Sequence, residues 1–187
     1  MMAKFVRLNK SEGQVEMASP PADEAVRLSA RPPADVPEFS FDGCSFFARL
    51  VDVHDGDTVK VVFELDGTLT KMSLRLTGID APEIRTRSAS EKAAAVRARD
   101  AILVWAAPEL FAQGRGYGER TIREVLAAEP VFVHVRCAPF DKYGRVLATM
   151  CASDDPSART LNAHLLSNGY ARAYNGGTKE PYAEGST

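Results

Sequence analysis

The strongest constraint on the fold is a run of strand-like segments joined by a tight turn. Thr58–Leu65 and Thr70–Leu76 are rich in β-branched and aliphatic residues, and Asp66-Gly67 lies between them. Asp-Gly favours a two-residue hairpin turn, because glycine accepts the positive φ angle that this turn requires. A further segment of the same kind, Phe46–Val53, comes before them. The pattern therefore predicts a three-stranded antiparallel meander.

The rest of the chain alternates between helix-like and strand-like segments. Ser88 and Glu91 fit a capping box, and the Ala-rich run that follows predicts a helix up to Ala107, where Pro108 ends it. A short helix, two strands and a last helix are predicted after it: Glu119–Glu129, Val131–Cys137, Val146–Cys151 and Thr160–Asn168. Five strands and their helices in this order favour an α+β fold, a five-stranded β-barrel of the oligonucleotide/oligosaccharide-binding type (OB-fold) with packed helices.

One domain accounts for most of the chain, because 187 residues leave little room for two. Residues 1–39 differ from the rest, since they hold five of the eleven prolines and few large apolar side chains. Such a segment cannot bury enough surface to offset its loss of conformational entropy, so it is predicted to be a flexible Pro-rich tail. Residues 40–180 are predicted to form the folded domain, with an insertion at 108–130, and 181–187 a short C-terminal tail.

Charge and apolar patterning exclude several classes of protein. The net charge is −2 and the pI about 6.0, so any recognition of phosphate must come from a local site rather than from a strongly basic surface. No run approaches the ~18 apolar residues of a membrane-spanning helix, and no secretory signal is visible. Cys44, Cys137 and Cys151 form no CxxC motif and are predicted to be reduced, mostly buried thiols. We expect an intracellular protein that does not enter a membrane.

Three short clusters of charged residues could carry chemistry. Asp55–Thr58 is either a solvated turn or a source of carboxylate ligands for a hard cation such as Ca²⁺. Arg75–Glu83 is either a strand end with an Asp-x-Pro turn or a rigid corner that holds Asp80 and Glu83 three residues apart. Asp141–Arg145 is either a charged hairpin turn or the element that delivers a second guanidinium to a phosphate.

Together these clusters contain the groups that hydrolysis of a phosphodiester needs. Two aspartates and a glutamate can hold a cation and activate water. Two arginines can clamp a phosphoryl group, because the planar guanidinium bonds two phosphate oxygens at once. A carboxylate can take the proton of an attacking water while the positive charges neutralise the charge that develops around phosphorus.

The three clusters, in this order and on these elements, resemble the staphylococcal nuclease (thermonuclease) family. The resemblance runs from about Ala48 to Tyr174, and the helix that contains Asn162 resembles the family's helix after the barrel. It implies the same five-stranded OB-fold barrel. It also implies a hydrolase, a Ca²⁺-dependent endonuclease that cleaves DNA and RNA and leaves 3′-phosphate ends.

The resemblance implies roles for individual residues. The calcium ligands would be two carboxylates and a main-chain carbonyl: Asp57, Asp80 and Ala81. The catalytic side chains would be a two-arginine phosphate clamp and a general base: Arg75, Arg145 and Glu83. The contacts to the nucleotide would be Lys142 and Tyr143 near the terminal phosphate and a base-stacking tyrosine, Tyr174.

The chain departs from the family pattern in two places near these residues. Ala81 stands where the best-known member has threonine, which matters little if only the main-chain oxygen binds the metal. The loop Ile84–Ser88 is shorter, which bears on how Glu83 is held.

The main alternative is a non-catalytic module of the same fold that only binds single-stranded nucleic acid. This chain has the family's residue at every charged catalytic position, and this disfavours a non-catalytic module. A third reading, a protein-interaction domain whose tail recruits a partner, rests only on the prolines of residues 1–39. We expect a monomer whose partner is DNA or RNA, preferably single-stranded.

Overall fold

The computed structural model describes residues 22–177 and residue 182. The chain divides into two compact units between Ser40 and Phe41. In the first unit, helix α1 spans Ala22–Ser29, and none of its residues is buried. The sequence analysis did not predict this helix. The other residues of the predicted N-terminal tail before α1, and all of 181–187 except Tyr182, lie outside the described residues.

The second unit is built on a closed barrel. Its five strands are β1 Ser45–Val53, β2 Thr58–Leu65, β3 Thr68–Leu76, β5 Val131–Phe140 and β6 Val146–Cys151. They follow one another around the barrel in the order β1-β2-β3-β6-β5. A separate antiparallel pair is formed by β4 Ile79–Asp80 and β7 Arg172–Ala173, and this pair was not predicted. The five-stranded barrel confirms the predicted fold class.

The first hairpin forms as the sequence predicts. Asp66 and Gly67 both adopt positive φ, 48° and 75°, which is the backbone of a type I′ turn. The turn sets the register that pairs Leu65 with Thr68 and, at the far end of the hairpin, Thr58 with Arg75. This register therefore brings the start of β2 beside the end of β3, where charged residues meet.

Alternate residues of the strands fill the barrel. Val131, Val133 and Val135 point inward and are buried, whereas Phe132 on the other face is 54% exposed. A parallel pairing of β3 with β6, which begins at Leu74 opposite Val146, closes the barrel.

Three helices accompany the barrel: α2 Ala89–Ala106, α3 Glu119–Ala128 and α4 Leu161–Ser167. The spacing of Ala95, Ala98, Ile102 and Trp105 places them along one stripe of α2. This stripe faces the core, because the first three are buried and Trp105 packs partly buried against it. The side chain of Thr160 caps α4 by accepting from the N–H of Ala163. In the described part of the chain no helix is both long and apolar enough to cross a membrane.

Buried polar side chains anchor the predicted insertion. Arg99 and Asp100 of α2 are 5% and 0% exposed. Arg99 donates to the carbonyl of Tyr117, and Asp100 accepts from the N–H of Gly116 at 2.8 Å. The part of residues 108–130 that precedes α3 is thus fixed onto α2.

Asn162 ties α4 to the barrel. It is 7% exposed, and its amide oxygen accepts from the N–H of Met150 at 3.2 Å. Its amide nitrogen donates to the carbonyls of Thr77 at 2.8 Å and Ala148 at 3.3 Å. The turn that leads from β3 to β4 is thereby held against β6 and α4.

Candidate active site

A buried arginine joins two buried aspartates at the end of the first hairpin. Asp57, Arg75 and Asp80 are 2%, 7% and 2% exposed. One guanidinium nitrogen of Arg75 contacts Asp57 Oδ1, and Nη2 lies 3.5 Å from Asp80 Oδ1. Nη2 also donates to the carbonyl of Ile79 at 3.3 Å. The alternation of β3 predicts that Arg75 faces outward with Ser73, but at this end of the strand the acidic residues cover it.

The carboxylate of Asp57 is held by several donors. Oδ1 accepts from the hydroxyl of Thr58 at 3.0 Å, and Oδ2 accepts from the N–H of Ala81 at 3.1 Å. The N–H of Asp57 itself donates to Asp55 Oδ1 at 3.1 Å. These bonds connect the turn before β2 with the turn after β4, and they fix the orientation of the carboxylate.

Gly56 is needed in this turn because the backbone comes close to its neighbours. A Cβ at this position would lie 2.6 Å from Cβ of Ala81 and 2.7 Å from Cβ of Ala98. Its φ is not in the positive region, so lack of space, rather than backbone conformation, favours glycine here. The turn is thus packed directly on α2 and on Ala81.

Asp80 has a second cationic partner that the sequence analysis missed. The pairing of β4 with β7 sets Asp80 opposite Arg172, whose Nη2 lies 3.1 Å from Asp80 Oδ2. The guanidinium carbon of Arg172 also lies 4.0 Å from the ring centroid of Tyr182, and the hydroxyl of Tyr182 donates to the carbonyl of Asp80. Nothing in the local sequence predicts these contacts, because only the β4–β7 pairing brings the residues together.

Glu83 is exposed on the loop that leads into α2. Its N–H donates to the carboxylate of Glu91 at 3.4 Å, and Glu91 also accepts from the hydroxyl of Thr86. In the predicted capping box, Glu91 would bond back to the N–H of Ser88. The Ser88 side chain does accept from the N–H of Glu91, but the carboxylate of Glu91 holds the Glu83 loop instead. The shortened loop is therefore braced by the first turn of α2.

The turn between β5 and β6 presents the second arginine. Asp141 Oδ1 accepts from the N–H groups of Tyr143 and Arg145, each at 2.9 Å, and Oδ2 contacts Arg145 Nη2 at 2.7 Å. Burial raises the pKa of Asp141, but these hydrogen bonds outweigh it, and the pKa is lowered overall. Lys142 Nζ and the guanidinium of Arg145 lie 5.0 and 5.6 Å from the ring centroid of Tyr143. This compact turn gathers two cations around one exposed aromatic ring.

A cleft of about 740 Å³ lies between this turn, the end of β3 and the segment after β7. It is lined by five of the predicted site residues, namely Arg75, Lys142, Tyr143, Arg145 and Tyr174. Tyr174 is held by its N–H, which donates to the carbonyl of Gly78 at 3.0 Å, and by its hydroxyl, which donates to the carbonyl of Gly177 at 2.8 Å. The structure thus brings the two predicted arginines and the three predicted nucleotide contacts to one cavity.

Electrostatic coupling links this cleft to the carboxylates. Burial lowers the pKa of Arg75, and repulsion by Arg145 adds to this effect. Asp55, Asp80 and Glu83 act in the opposite direction. The charges of Arg145 and Glu83 therefore both act on the pKa of Arg75.

The model of the staphylococcal nuclease homologue family matches residues 73–185, more than half of the chain. The chain belongs to this family. A search of curated proteins found no match. Domains of the family are nucleases or nucleic-acid-binding modules, so either activity is consistent with the cleft.

The family match and the structure complement each other. The match begins in β3 and includes Arg75, Asp80, Glu83 and Arg145, but it leaves out Asp57. The contact between Asp57 and Arg75 connects this carboxylate to the matched residues.

Asp57, Asp80 and Ala81 are the residues of this family member that the resemblance implies as metal ligands. Among the described residues, no group of three or more His, Cys, Asp or Glu side chains could hold a metal ion. Asp57 and Asp80 nevertheless converge on one guanidinium, and the residue that follows Asp80 supplies a carbonyl. Two carboxylates and a carbonyl are the oxygen donors that Ca²⁺ prefers, with further oxygens to come from water. The donor types therefore suit a hard cation, but no site is assembled among the described residues, because Arg75 and Arg172 bind the two carboxylates.

Proposed function

We propose that this family member is a Ca²⁺-dependent endonuclease that hydrolyses phosphodiester bonds of DNA and RNA and leaves 3′-phosphate ends. The observation that carries the proposal is the cleft that Arg75 and Arg145 both line, with Asp57 and Asp80 in contact with Arg75. The described site residues all belong to one chain, so the proposal needs no second copy.

The two arginines would bind the phosphate. Arg145 is exposed, and its guanidinium is held by Asp141, so it can turn a hydrogen-bonding edge toward the cleft. Arg75 lines the same cleft from the neighbouring strand β3 and is kept in place by the carboxylates and by the Ile79 carbonyl. Bidentate bonds from both sides would orient the diester and stabilise the extra negative charge of the transition state.

Asp57, Asp80 and the carbonyl of Ala81 would hold Ca²⁺. A bound cation supplies positive charge near the phosphoryl oxygens and lowers the pKa of water. Glu83 would take a proton from the attacking water while the water oxygen forms its bond to phosphorus. The bond from phosphorus to the 5′-oxygen would break, the leaving 5′-oxygen would take a proton from solvent water, and the phosphate would stay on the 3′ side.

A single strand suits this cleft better than a duplex. Tyr143 is 72% exposed beside two cations, and Tyr174 lies on the same cavity. Exposed aromatic rings beside cations bind unpaired bases by stacking, and stacking needs bases that have left the duplex.

A specific observation also favours the non-catalytic alternative. Arg75 and Arg172 together neutralise Asp57 and Asp80, so the buried cluster is stable without a cation. In a binding module these four side chains would serve only to hold the cleft in shape.

The deciding experiment incubates the purified protein with end-labelled single-stranded DNA and RNA at low salt. The arms contain Ca²⁺, Mg²⁺ or a calcium chelator, and Glu83→Gln, Arg75→Ala and Arg145→Ala are compared with the parent. We expect cleavage only with Ca²⁺, 3′-phosphate ends, and a loss of about 10²-fold or more in each variant that folds. Binding without cleavage under every condition would instead establish the non-catalytic module. Full activity in a folded Glu83→Gln variant would refute the role of Glu83 alone.

A further inference from the structure

Two large aromatic rings are exposed on the outer face of β1 and β5, away from the cleft. Phe47 and Phe132 are 61% and 54% exposed. Their ring centroids lie 5.2 Å apart with planes inclined by 13°, so the rings stack on each other. His134 pairs with Phe47 across the strands, and its ring centroid is also 5.2 Å from that of Phe47. Exposed rings gathered in this way on a protein surface indicate a binding site.

An arginine lies at each end of this cluster on the same face. Arg49 pairs with Phe132, and Arg136 follows His134 by two residues along β5. Arg49 Nη2 donates to the Leu126 carbonyl at 2.9 Å, and Arg136 donates to main-chain carbonyls of the loop after β6. Carbonyls carry no net charge, so both guanidiniums keep theirs.

Each end of this face therefore carries a guanidinium. The exposed Asp155 interacts with Arg136, and solvent screens the attraction between two exposed charges. Aromatic rings between two cations are complementary to a polyanion that carries flat bases.

The outer face is continuous with the cleft. Thr149 of β6 pairs with Arg136, and Leu147, two residues earlier, lines the cleft and pairs with Arg75. All of these residues occupy outward positions of their strands. With ~4.8 Å between strands and ~3.4 Å per residue, the path from Arg75 to Phe47 is roughly 28 Å long. A strand of several nucleotides can follow this path, and OB-folds bind about 4–16 nucleotides.

We propose that Arg49, Phe47, Phe132, His134 and Arg136 form an aromatic track that binds single-stranded nucleic acid beyond the cleft. Bases stack on the exposed rings, the arginines contact the backbone, and the same strand continues over β6 to place one phosphodiester between Arg75 and Arg145. The inference rests on the proposed function only in the statement that the bound strand continues into the cleft. Its binding test does not depend on cleavage.

The experiment measures fluorescence anisotropy of labelled dT4 and dT20 with the Glu83→Gln protein in Ca²⁺, so that no strand is cut. Phe47→Ala/Phe132→Ala is compared with Leu69→Ala, which removes an apolar side chain that is 77% exposed in the β2–β3 hairpin and off the track. Loss of one stacked base is expected to weaken dT20 binding about 5- to 150-fold. A dT4 strand bound in the cleft is too short to contact the distant rings as well, so dT4 is expected to bind equally well to all three proteins. Phe47→Leu/Phe132→Leu keeps the apolar volume and loses the flat rings, so it should reproduce the defect even if the alanine pair folds poorly.

The outcomes separate this inference from the proposed nuclease. Weaker dT20 binding in the Phe47 and Phe132 variants supports the track whether or not the parent cleaves. Unchanged dT20 binding in folded variants overturns the track, leaves the nuclease intact and would assign the rings to a protein partner. Failure of the parent to bind dT20 at all would overturn both.

Discussion

Replacement of Gly56 by alanine should damage both the fold and the proposed cation site. The new Cβ would lie 2.6 Å from Ala81 and 2.7 Å from Ala98, about 1 Å closer than the optimum separation of two carbon atoms. Both neighbouring atoms are Cβ atoms fixed to the backbone, and neither can rotate away. Overpacking of this kind costs about 1–3 kcal/mol, and two simultaneous contacts favour the upper half of that range.

The assay is urea unfolding followed by the fluorescence of Trp105, which lies on α2 and packs partly buried against the core. The midpoint should fall by about 1 M with no change in the m-value. Calcium affinity, measured by calorimetry, should fall as well, because a shift of Ala81 disturbs its 3.1 Å hydrogen bond to Asp57.

Two further variants make the test specific. Gly118→Ala adds a Cβ where nothing lies within 4 Å, so it should cost only the preference for glycine over alanine at the N-cap of α3, about 0.5–1 kcal/mol. Ala98→Gly removes one of the two contacts, so the double variant with Gly56→Ala should be more stable than the sum of the single effects predicts. If Gly56→Ala unfolds at the parent's urea concentration, the turn can shift freely and the reasoning is wrong.

Three other predictions concern the packing and the charges around the site. Asn162→Ala should lower the free energy of unfolding by about 2–4 kcal/mol, since it leaves buried main-chain groups without their partner. Arg172→Ala should tighten Ca²⁺ binding about fivefold, measured by calorimetry. The substitution removes the competing ion pair between Arg172 and Asp80, which contributes about 1 kcal/mol. Burial, with a further contribution from Cys44, raises the pKa of Cys137 to about 11, so its thiolate is scarce at pH 8 and thiol reagents should modify the partly exposed Cys44 first.

Each of these predictions has a control. Asn168→Ala removes exposed hydrogen bonds of the same amide type, so an equal loss in both asparagine variants would contradict the argument from burial. Arg172→Lys keeps the charge and should keep the parent's calcium affinity. In urea-unfolded protein, thiol reagents should modify all three cysteines at similar rates. Rapid modification of Cys137 in the folded protein would show that burial does not protect it.

The elements that could be predicted are those whose pattern is local. The Asp66-Gly67 turn, the alternation of β5 and the apolar stripe of α2 each follow from neighbours within a few residues, and all three are present. The barrel itself follows from the number and order of its strands. Helix α1 was missed, because prolines and charges dominate the composition around it.

The parts of the site that could not be predicted depend on long-range pairing. The alternation of β3 assigns Arg75 to a solvent-facing side, and only the approach of Asp80 and Asp57 buries it. Arg172 and Tyr182 reach Asp80 from 92 and 102 residues away, and no local motif indicates this. Glu91 was recognised as part of a cap, but its contact with the Glu83 loop depends on how that loop folds back.

The two-residue ladder of β4 and β7 has a consequence for the motions of the molecule. It has only two paired positions, Ile79 with Ala173 and Asp80 with Arg172. Local opening costs less free energy when fewer contacts break, so we expect the amide protons of this ladder to exchange with solvent well before those of the barrel. Asp80 would then reach water by a local fluctuation, and an ion could gain access to a carboxylate that is 2% exposed on average while the barrel stays closed.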